Sequence, residues 1–596
     1  MLKRKRYGRQ KIALICCTEN KNINSDEYCC RLLVNWTRTK IGAAALRSNM
    51  LQPLCCVEKI RERQDAVEEL VMDQTLLHEV AEALGKLPPD MKKCLRTVCL
   101  NMQRTKKNTS KRIASMVQGF IELKQHCLSL CPLSEALSNA TSRLLRMYNN
   151  RIGENSSIEL MELLDSILDD GLKRNSSKTA FMNRTQQCYA LKRGVFPLLD
   201  TYRREYSACA QQVHDLANSM RSQHESMAGL VVNYTEQRGF YFTLSKRFKA
   251  MNGRPLDLMG ADDGPPLPKE LITLHKDARQ LQCTTDELNA LNSRMMECSN
   301  LCLELTESIL HDQCLSIVEQ HLGKVKKQID SIAELDMIAA FAHMAVSQDG
   351  YVKPVLTESG PLVIQDGRHA TMEHCVTNYV SNDVVMSPEN TLQLILGPNM
   401  AGKTTYLRMT GLMIIMAQMG SFVPASFMSL SPFDRMMVIM PAGSTGLHGS
   451  SLSNEMRQVA HVVGNAGPRS LILLDELARS TGSEEGLALA WSIAEYLALQ
   501  GCKTLFSTHM TQLSKLSIMY PMCSVFHFVW KANEEGDDDK SAHQASQPRK
   551  LKPGTPEFTH YGIALAEAMG LPERVVSRAK ESLRGKWSYL FLPPHQ

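Results

Sequence analysis

The octapeptide Gly397-Pro-Asn-Met-Ala-Gly402-Lys403-Thr404 fits the pattern G-x-x-x-x-G-K-[ST]. Residues of these types at this spacing can hold a polyphosphate. Glycines let the backbone curl so that its N–H groups face phosphate oxygens; Lys403 reaches the β- and γ-phosphates, and Thr404 offers a hydroxyl to Mg2+. The candidate nucleotide-binding positions are Gly397, Pro398, Asn399, Met400, Ala401, Gly402, Lys403, Thr404 and Thr405. Downstream, Asp475-Glu476 follows the apolar run Ser470–Leu474. An aspartate there can hold Mg2+ through water, and the glutamate beside it can polarise an attacking water. Thr508-His509 follows a third run, Lys503–Ser507, and adds a polarisable imidazole. Glu476 and His509 are thus the catalytic candidates, and Thr404 and Asp475 the metal-binding ones.

The elements needed to hold these residues are legible around them. Leu392–Leu396 has the length and composition of a strand, and Thr405–Gly420 reads as a helix whose N-terminus would face the phosphates. In open α/β sheets ligands bind outside the carboxyl ends of strands, so all three strand tips are expected at one site. A glycine turn can match the first motif by chance, and an acidic pair or a strand-end histidine is ordinary alone. The three together, each at a strand end, predict an ATP- and Mg2+-binding P-loop domain.

At 596 residues the chain is long enough for several cores. A net charge of +6 permits nucleic-acid binding without demanding it. The 19 cysteines are scattered; Cys127/Cys131 and Cys298/Cys302 lie one helical turn apart and read as small buried side chains, and no zinc site is expected. There is no secretory signal, and the apolar run Leu412–Met419 is too short to span a bilayer, so an intracellular protein with no membrane partner is expected. Lys3-Arg-Lys-Arg6 is a nuclear-import patch or a solvated basic tip.

From about Glu27 to Pro197, apolar residues recur at helical spacing between short polar turns. The segment from Thr39-Lys-Ile-Gly42 to Asp65-Ala-Val-Glu-Glu-Leu70 reads as a helix broken by a proline turn and a second helix with an acidic face. Past Met227, Leu230–Tyr234 and Gly239–Leu244 alternate like two strands about a polar turn. Arg238, Lys246, Arg247 and Lys249 flank the second. The Gly/Pro/Asp-rich stretch 252–268 precedes a return to helix with Lys276 and Arg279, and Ile329–Ala345 leads back to the P-loop region. The acidic then basic stretch 532–553 reads as a disordered surface loop, Glu573–Leu583 as a last helix, and Trp587–Leu592 as an apolar tail.

Taken with these motifs, the chain resembles the MutS family of DNA-handling ATPases over nearly its whole length. Thr39 to Leu70 looks like the start of that family's lever domain. Gly397 to Tyr406, Gln418-Met-Gly-Ser-Phe-Val-Pro-Ala425, Leu473-Leu-Asp-Glu-Leu477, Phe506-Ser-Thr-His509, and Tyr561-Gly-Ile563 with Gly570-Leu-Pro572 are similar to its nucleotide motifs, in family order. The resemblance implies an all-α lever/core domain with an inserted α+β clamp, followed by an α/β P-loop ATPase domain of the ABC type. The corresponding divisions are a basic N-terminal remnant (1–26), lever/core (27–201), clamp (202–303), returning lever helix (304–350), ATPase and dimerisation domain (351–586) and tail (587–596). It makes Arg238, Lys246, Arg247 and Lys249 candidates for DNA phosphate contact, where a solvated face would otherwise be the reading.

About thirty residues precede the lever-like segment, so the family's mismatch-reading domain is expected to be absent. A MutS-type chain without that domain resembles the meiotic branch of the family. Thr185-Gln-Gln-Cys-Tyr189, Leu335-Asp336, Phe341-Ala-His343 and Glu484-Glu-Gly486 look most like the fourth MutS homologue, divergent or N-terminally shortened. The resemblance implies an ATPase in the nucleus, on meiotic chromosomes. It would bind double-stranded or branched DNA such as Holliday junctions and promote crossovers, with the fifth MutS homologue as heterodimer partner and MutL-type proteins as further partners. A mismatch-repair subunit and a nucleotide-dependent structural protein with little DNA binding are the alternatives. The chain also departs from the family. Ser450-Ser-Leu-Ser-Asn-Glu-Met456 stands where a Ser-Thr-Phe-Met-x-Glu-Met run is usual, leaving Ser450 as the trans-subunit nucleotide contact with an altered middle. Leu477-Ala-Arg-Ser-Thr-Gly482 stands where a Gly-Arg-Gly-Thr sequence is usual, and losing two glycines removes φ freedom. Slow turnover is expected.

Overall fold

The computed structural model describes residues 36–88, 90–101, 109–153, 156–169, 179–224, 227–235, 237–245, 247–249, 255–257, 268, 270–276, 280–376, 378–398, 401–440, 451–479, 481–528, 550–555, 563, 566–567 and 570–583. Two helices, α1 (Lys40–Leu51) and α2 (Val57–Met72), open the described part on either side of the Pro53 turn. Further helices follow to Cys188, and their leucine faces merge into one core. The outbound helix α3 (Pro197–Gln223) and the 62-residue helix α4 (Asp286–Ser347) then pack side by side.

Between these two helices lies a four-stranded antiparallel sheet in the order β1 (Leu230–Thr235), β2 (Gly239–Ser245), Gln280–Thr284, Ile272–Lys276. Leu230, Phe240, Phe242, Leu244, Leu281 and Cys283 face inward onto Val213, Met220 and Leu288 of the two helices. The region around Lys276 is therefore strand, where helix was expected. Leu281 and Cys283 alternate with polar neighbours, and that period of two buries one face of the sheet. The returning helix likewise starts at Asp286, well before Ile329, with Thr285 capping it by accepting from the Leu288 N–H.

The C-terminal part is built on a six-stranded sheet. Its order is Arg435–Ile439, Ser470–Asp475, Lys503–Thr508, Leu392–Leu396, Cys523–Phe528, Leu551–Pro553. The first five strands are parallel and the last is antiparallel. Leu551–Pro553 was expected in a loop; it instead adds a strand edge, while 529–549 lies outside the described residues. Helix α5 (Lys403–Met419) follows the Leu392–Leu396 strand and is apolar almost all round. An apolar surface on every side needs cover on every side. One flank of α5 meets the sheet and the other meets α1 and α2, so one hydrophobic core runs from the lever helices into the sheet domain.

A single buried carboxylate ties the start of α1 to α4. Asp336 of α4 accepts from the backbone N–H of Arg38 (2.9 Å) and Thr39 (2.8 Å) and from the Thr39 hydroxyl (2.6 Å), and that hydroxyl caps α1 at the Gly42 N–H. A Cβ on Gly42 would lie 2.0 Å from Asp336 Oδ2, so only glycine allows the approach. Among the described residues, no helix is long and apolar enough to cross a membrane.

Candidate functional site

The parallel register brings the three strand tips together. Leu396 pairs with Thr508 and Asp475 with Ser507, so the P-loop, Asp475-Glu476 and Thr508-His509 emerge along one sheet edge. Lys403 is buried at the first turn of α5. Its ammonium donates to the carbonyls of Gly397 (2.8 Å) and Pro398 (2.9 Å) and lies 3.3 Å from Glu476 Oε1. Burial lowers the Lys403 pKa from its ordinary value, against the pull of Glu476. A cation held by two carbonyls and one carboxylate is placed to exchange them for phosphate oxygens.

Thr404 donates its hydroxyl to Asp475 Oδ2 at 2.7 Å, and Ser507 donates to Oδ1. Burial holds the Asp475 pKa above the usual carboxylate range; the two hydroxyls oppose this only in part. A hydroxyl and a carboxylate, both hard oxygen donors, fit Mg2+, which keeps several waters and takes one or two protein ligands beside phosphate oxygens. Thr404 and Asp475 would hold such an ion. Among the described residues no cluster of three or more His, Cys, Asp or Glu forms a closed metal cage.

Glu476 donates its N–H to the Ser507 carbonyl at 3.0 Å, so it continues the strand register beyond Asp475 before the chain turns. Its backbone is left-handed (φ 49°), as is that of Ala478 (φ 62°). Glu476 is paired on its other oxygen by Arg479 at 2.9 Å. His509 lies at the same edge but is exposed. Asn399, Met400 and Ser450 lie outside the described residues.

Sequence reasoning had not reached two further contacts. Glu455, on helix α6 (Ser451–Val463), accepts from the Ala478 N–H at 2.7 Å. At the far end of α5, Gln418 donates to the carbonyls of Leu54 (2.8 Å) and Phe433 (3.0 Å) and accepts from Phe433 N–H (3.1 Å). The Gln-Met-Gly run was the available signal for the second, and the glutamate kept in the Ser450–Met456 run was the signal for the first.

In the β1–β2 module, Arg238 is exposed in the turn where Thr235 pairs with Gly239. Strand β2 runs away from that turn, and Arg247 and Lys249 follow its other end, on a short strand paired with Pro255–Asp257. Arg238 thus flanks one end of β2, and Arg247 and Lys249 follow the other. Lys246 lies outside the described residues.

Segment 19–342 matches MutS domain III and segment 393–585 matches MutS domain V. With a helical lever, an inserted sheet module and a nucleotide-type sheet edge in this order, the chain belongs to the MutS family. Within that family it is similar to DNA mismatch repair protein MSH4 of Arabidopsis thaliana, 31% identical over 91% of this chain and 67% of that protein. MutS protein homolog 4 of Homo sapiens is 30% identical over 92% of this chain and 56% of that protein. DNA mismatch repair protein MutS of Thermotoga maritima is 29% identical over 92% of this chain and 62% of that protein. The chain spans between about half and two thirds of the length of these relatives.

Proposed function

We propose that this chain is an ATP-hydrolysing DNA clamp subunit that binds branched recombination intermediates in the meiotic nucleus, paired with the fifth MutS homologue. The observation that carries the nucleotide half is the sheet edge at which Lys403, the Thr404–Asp475 pair and Glu476 converge. Lys403 binds phosphate, Thr404 and Asp475 hold Mg2+, and Glu476 serves as the base that polarises the attacking water, with His509 at the rim. Hydrolysis resets a clamp whose closure depends on γ-phosphate contacts across the dimer, with Ser450 reaching the partner's nucleotide. DNA contact is assigned to Arg247 and Lys249, beyond the outer end of β2, and by sequence to Lys246; Arg238, in the turn at the opposite end of β2, is the weaker candidate. Similarity to the fourth MutS homologue supports the recombination reading, and similarity to bacterial mismatch-repair MutS supports a repair reading.

A competition assay separates them. The chain is co-purified with the fifth homologue and offered a four-way junction against a duplex with one mispair, at fixed salt, with and without ATP. Junction preference that ATP converts to sliding supports recombination; mispair preference restores repair. Weak retention with little salt dependence favours a structural protein, because phosphate contacts release counterions and weaken steeply with salt. Lys403→Ala is expected to abolish ATP-induced release from open-ended junction DNA. Release that persists in the variant removes Lys403 from the site.

A further inference from the structure

The turn that follows Asp475 is unusual for its composition. Glu476 (φ 49°) and Ala478 (φ 62°) both adopt left-handed backbone, although neither is glycine. Left-handed backbone is disfavoured for a residue with a side chain, so the surroundings must impose the shape. Two groups do so. The Ser507 carbonyl accepts from the Glu476 N–H at 3.0 Å, and Glu455 Oε1 accepts from the Ala478 N–H at 2.7 Å. The second is a charge-assisted bond from another helix, roughly twice as strong as a neutral one. Behind the turn, the Thr481 hydroxyl donates to the Ala478 carbonyl at 2.9 Å, and a Cβ on Gly486 would come within 3.0 Å of that carbonyl. The shape of this turn decides where the Glu476 carboxylate points, since Glu476 lies inside it.

We infer that Glu455 is a positioning residue for hydrolysis: by strapping the Ala478 N–H it holds the left-handed turn and so aims Glu476. Glu455 touches neither Lys403 nor Asp475 in the structure's hydrogen bonds and ion pairs, and acts only through the backbone of 476–478. The strap makes α6 and the Glu476 turn one unit, so a displacement of α6 moves the catalytic carboxylate. A glycine at 478 would adopt the same φ without the strap, whereas alanine needs it. The inference rests on the reading of Glu476 as the water-polarising base.

The test uses the full chain with its partner and four variants: Glu455→Ala, Glu455→Gln, Ala478→Gly and the double variant Glu455→Ala/Ala478→Gly. Binding of a fluorescent ATP analogue and steady-state phosphate release are measured on each, with amide hydrogen exchange over 476–482. Glu455→Ala is expected to leave nucleotide affinity within about threefold of wild type while kcat falls roughly ten- to hundredfold, the scale set by sub-ångström to ångström misplacement of a catalytic group. Exchange at the Ala478 amide should rise. Glu455→Gln, which keeps an oxygen acceptor, should lose less than Glu455→Ala, and Ala478→Gly should recover most of the Glu455→Ala loss. An unchanged kcat, unchanged exchange, or a double variant no better than Glu455→Ala overturns the inference. If the wild-type complex releases no phosphate, the ATPase reading itself has failed and the positioning role falls with it. A failed strap with intact wild-type turnover leaves that reading standing.

Discussion

At the residue scale, Asp475 states the chemistry of the site most sharply. It is almost fully buried, and burial raises its pKa despite hydroxyl bonds from Ser507 and Thr404. A carboxyl group whose folded pKa is raised stabilises the fold while protonated. That contribution is complete below the unfolded pKa, near 4, and is lost as pH rises through the folded value. At neutral pH the nucleotide-free protein therefore carries a buried anion at a cost, ready for a cation. Asp475→Asn is expected to melt above wild type in the absence of Mg2+, by roughly 2–4 °C for each kcal/mol relieved. Adding Mg2+ with an ATP analogue should raise the wild-type melting temperature and leave the variant unmoved. A variant that melts lower without Mg2+, or that still responds to it, would refute this role for Asp475.

At the scale of elements, the junction between α5 and the lever turns on Gly420. It ends α5 at φ 90°, and a Cβ there would sit 2.5 Å from Arg63 Cβ. Arg63 is itself buried; it donates to Asn49 Oδ1 (2.9 Å) and the Met419 carbonyl (3.3 Å) and pairs with Glu334 of α4 at 3.4 Å. Gly420→Ala combines left-handed strain of about 1–2 kcal/mol with overpacking of about 1–3 kcal/mol. Urea unfolding should register a loss of about 2–5 kcal/mol, and a loss within error of zero would mean that the two elements part easily. The α5 strand-and-helix unit was legible because its signals are local: an apolar strand, a glycine-rich turn, then an apolar helix. The sheet strands near Lys276 and the start of α4 were not. Five-residue strands carry too few alternations to be told from helix, and α4 changes the side it buries as it passes one neighbour after another, so no single apolar stripe marks its length. Asp336 and Thr39 were each noted in separate stretches, but their pairing across 297 residues is a tertiary fact. The loss of glycine around Ala478 was legible and implied lost φ freedom, but that alanine still takes left-handed backbone there, with its N–H bonded to Glu455, is a tertiary fact.

At the scale of the whole molecule, the same joint lies between the two proposed activities. Helix α4 runs 62 residues, on the order of 90 Å at 1.5 Å per residue. One end carries the sheet module through Asn292, which bonds both backbone groups of Phe240 at 2.8 Å. Near its other end, Glu334 and Asp336 hold α2 and α1. Those two helices rest on α5, whose first turn holds Lys403 and whose last turn is fastened by Gln418 to Leu54 and Phe433. A shift of α5 on nucleotide binding therefore has a packed, hydrogen-bonded route into α4, with a continuous core from α5 to that helix, and α4 in turn carries the separate core of the sheet module to which DNA contact is assigned. Gln418→Ala removes bonds to Leu54 and Phe433 that hold α5 against the lever turn, while leaving Lys403 and the sheet module untouched. ATP affinity and nucleotide-free DNA retention should each stay near wild type, because neither site loses a contact. The acceleration of DNA release by ATP should fall about five- to tenfold, the lower range of coupling free energies of 1–3 kcal/mol. The measurement is the dissociation rate from open-ended junction DNA with and without ATP. An unchanged ratio would mean that the two ends communicate by another path, and a change in ATP affinity alone would place Gln418 with the nucleotide site instead of between the sites.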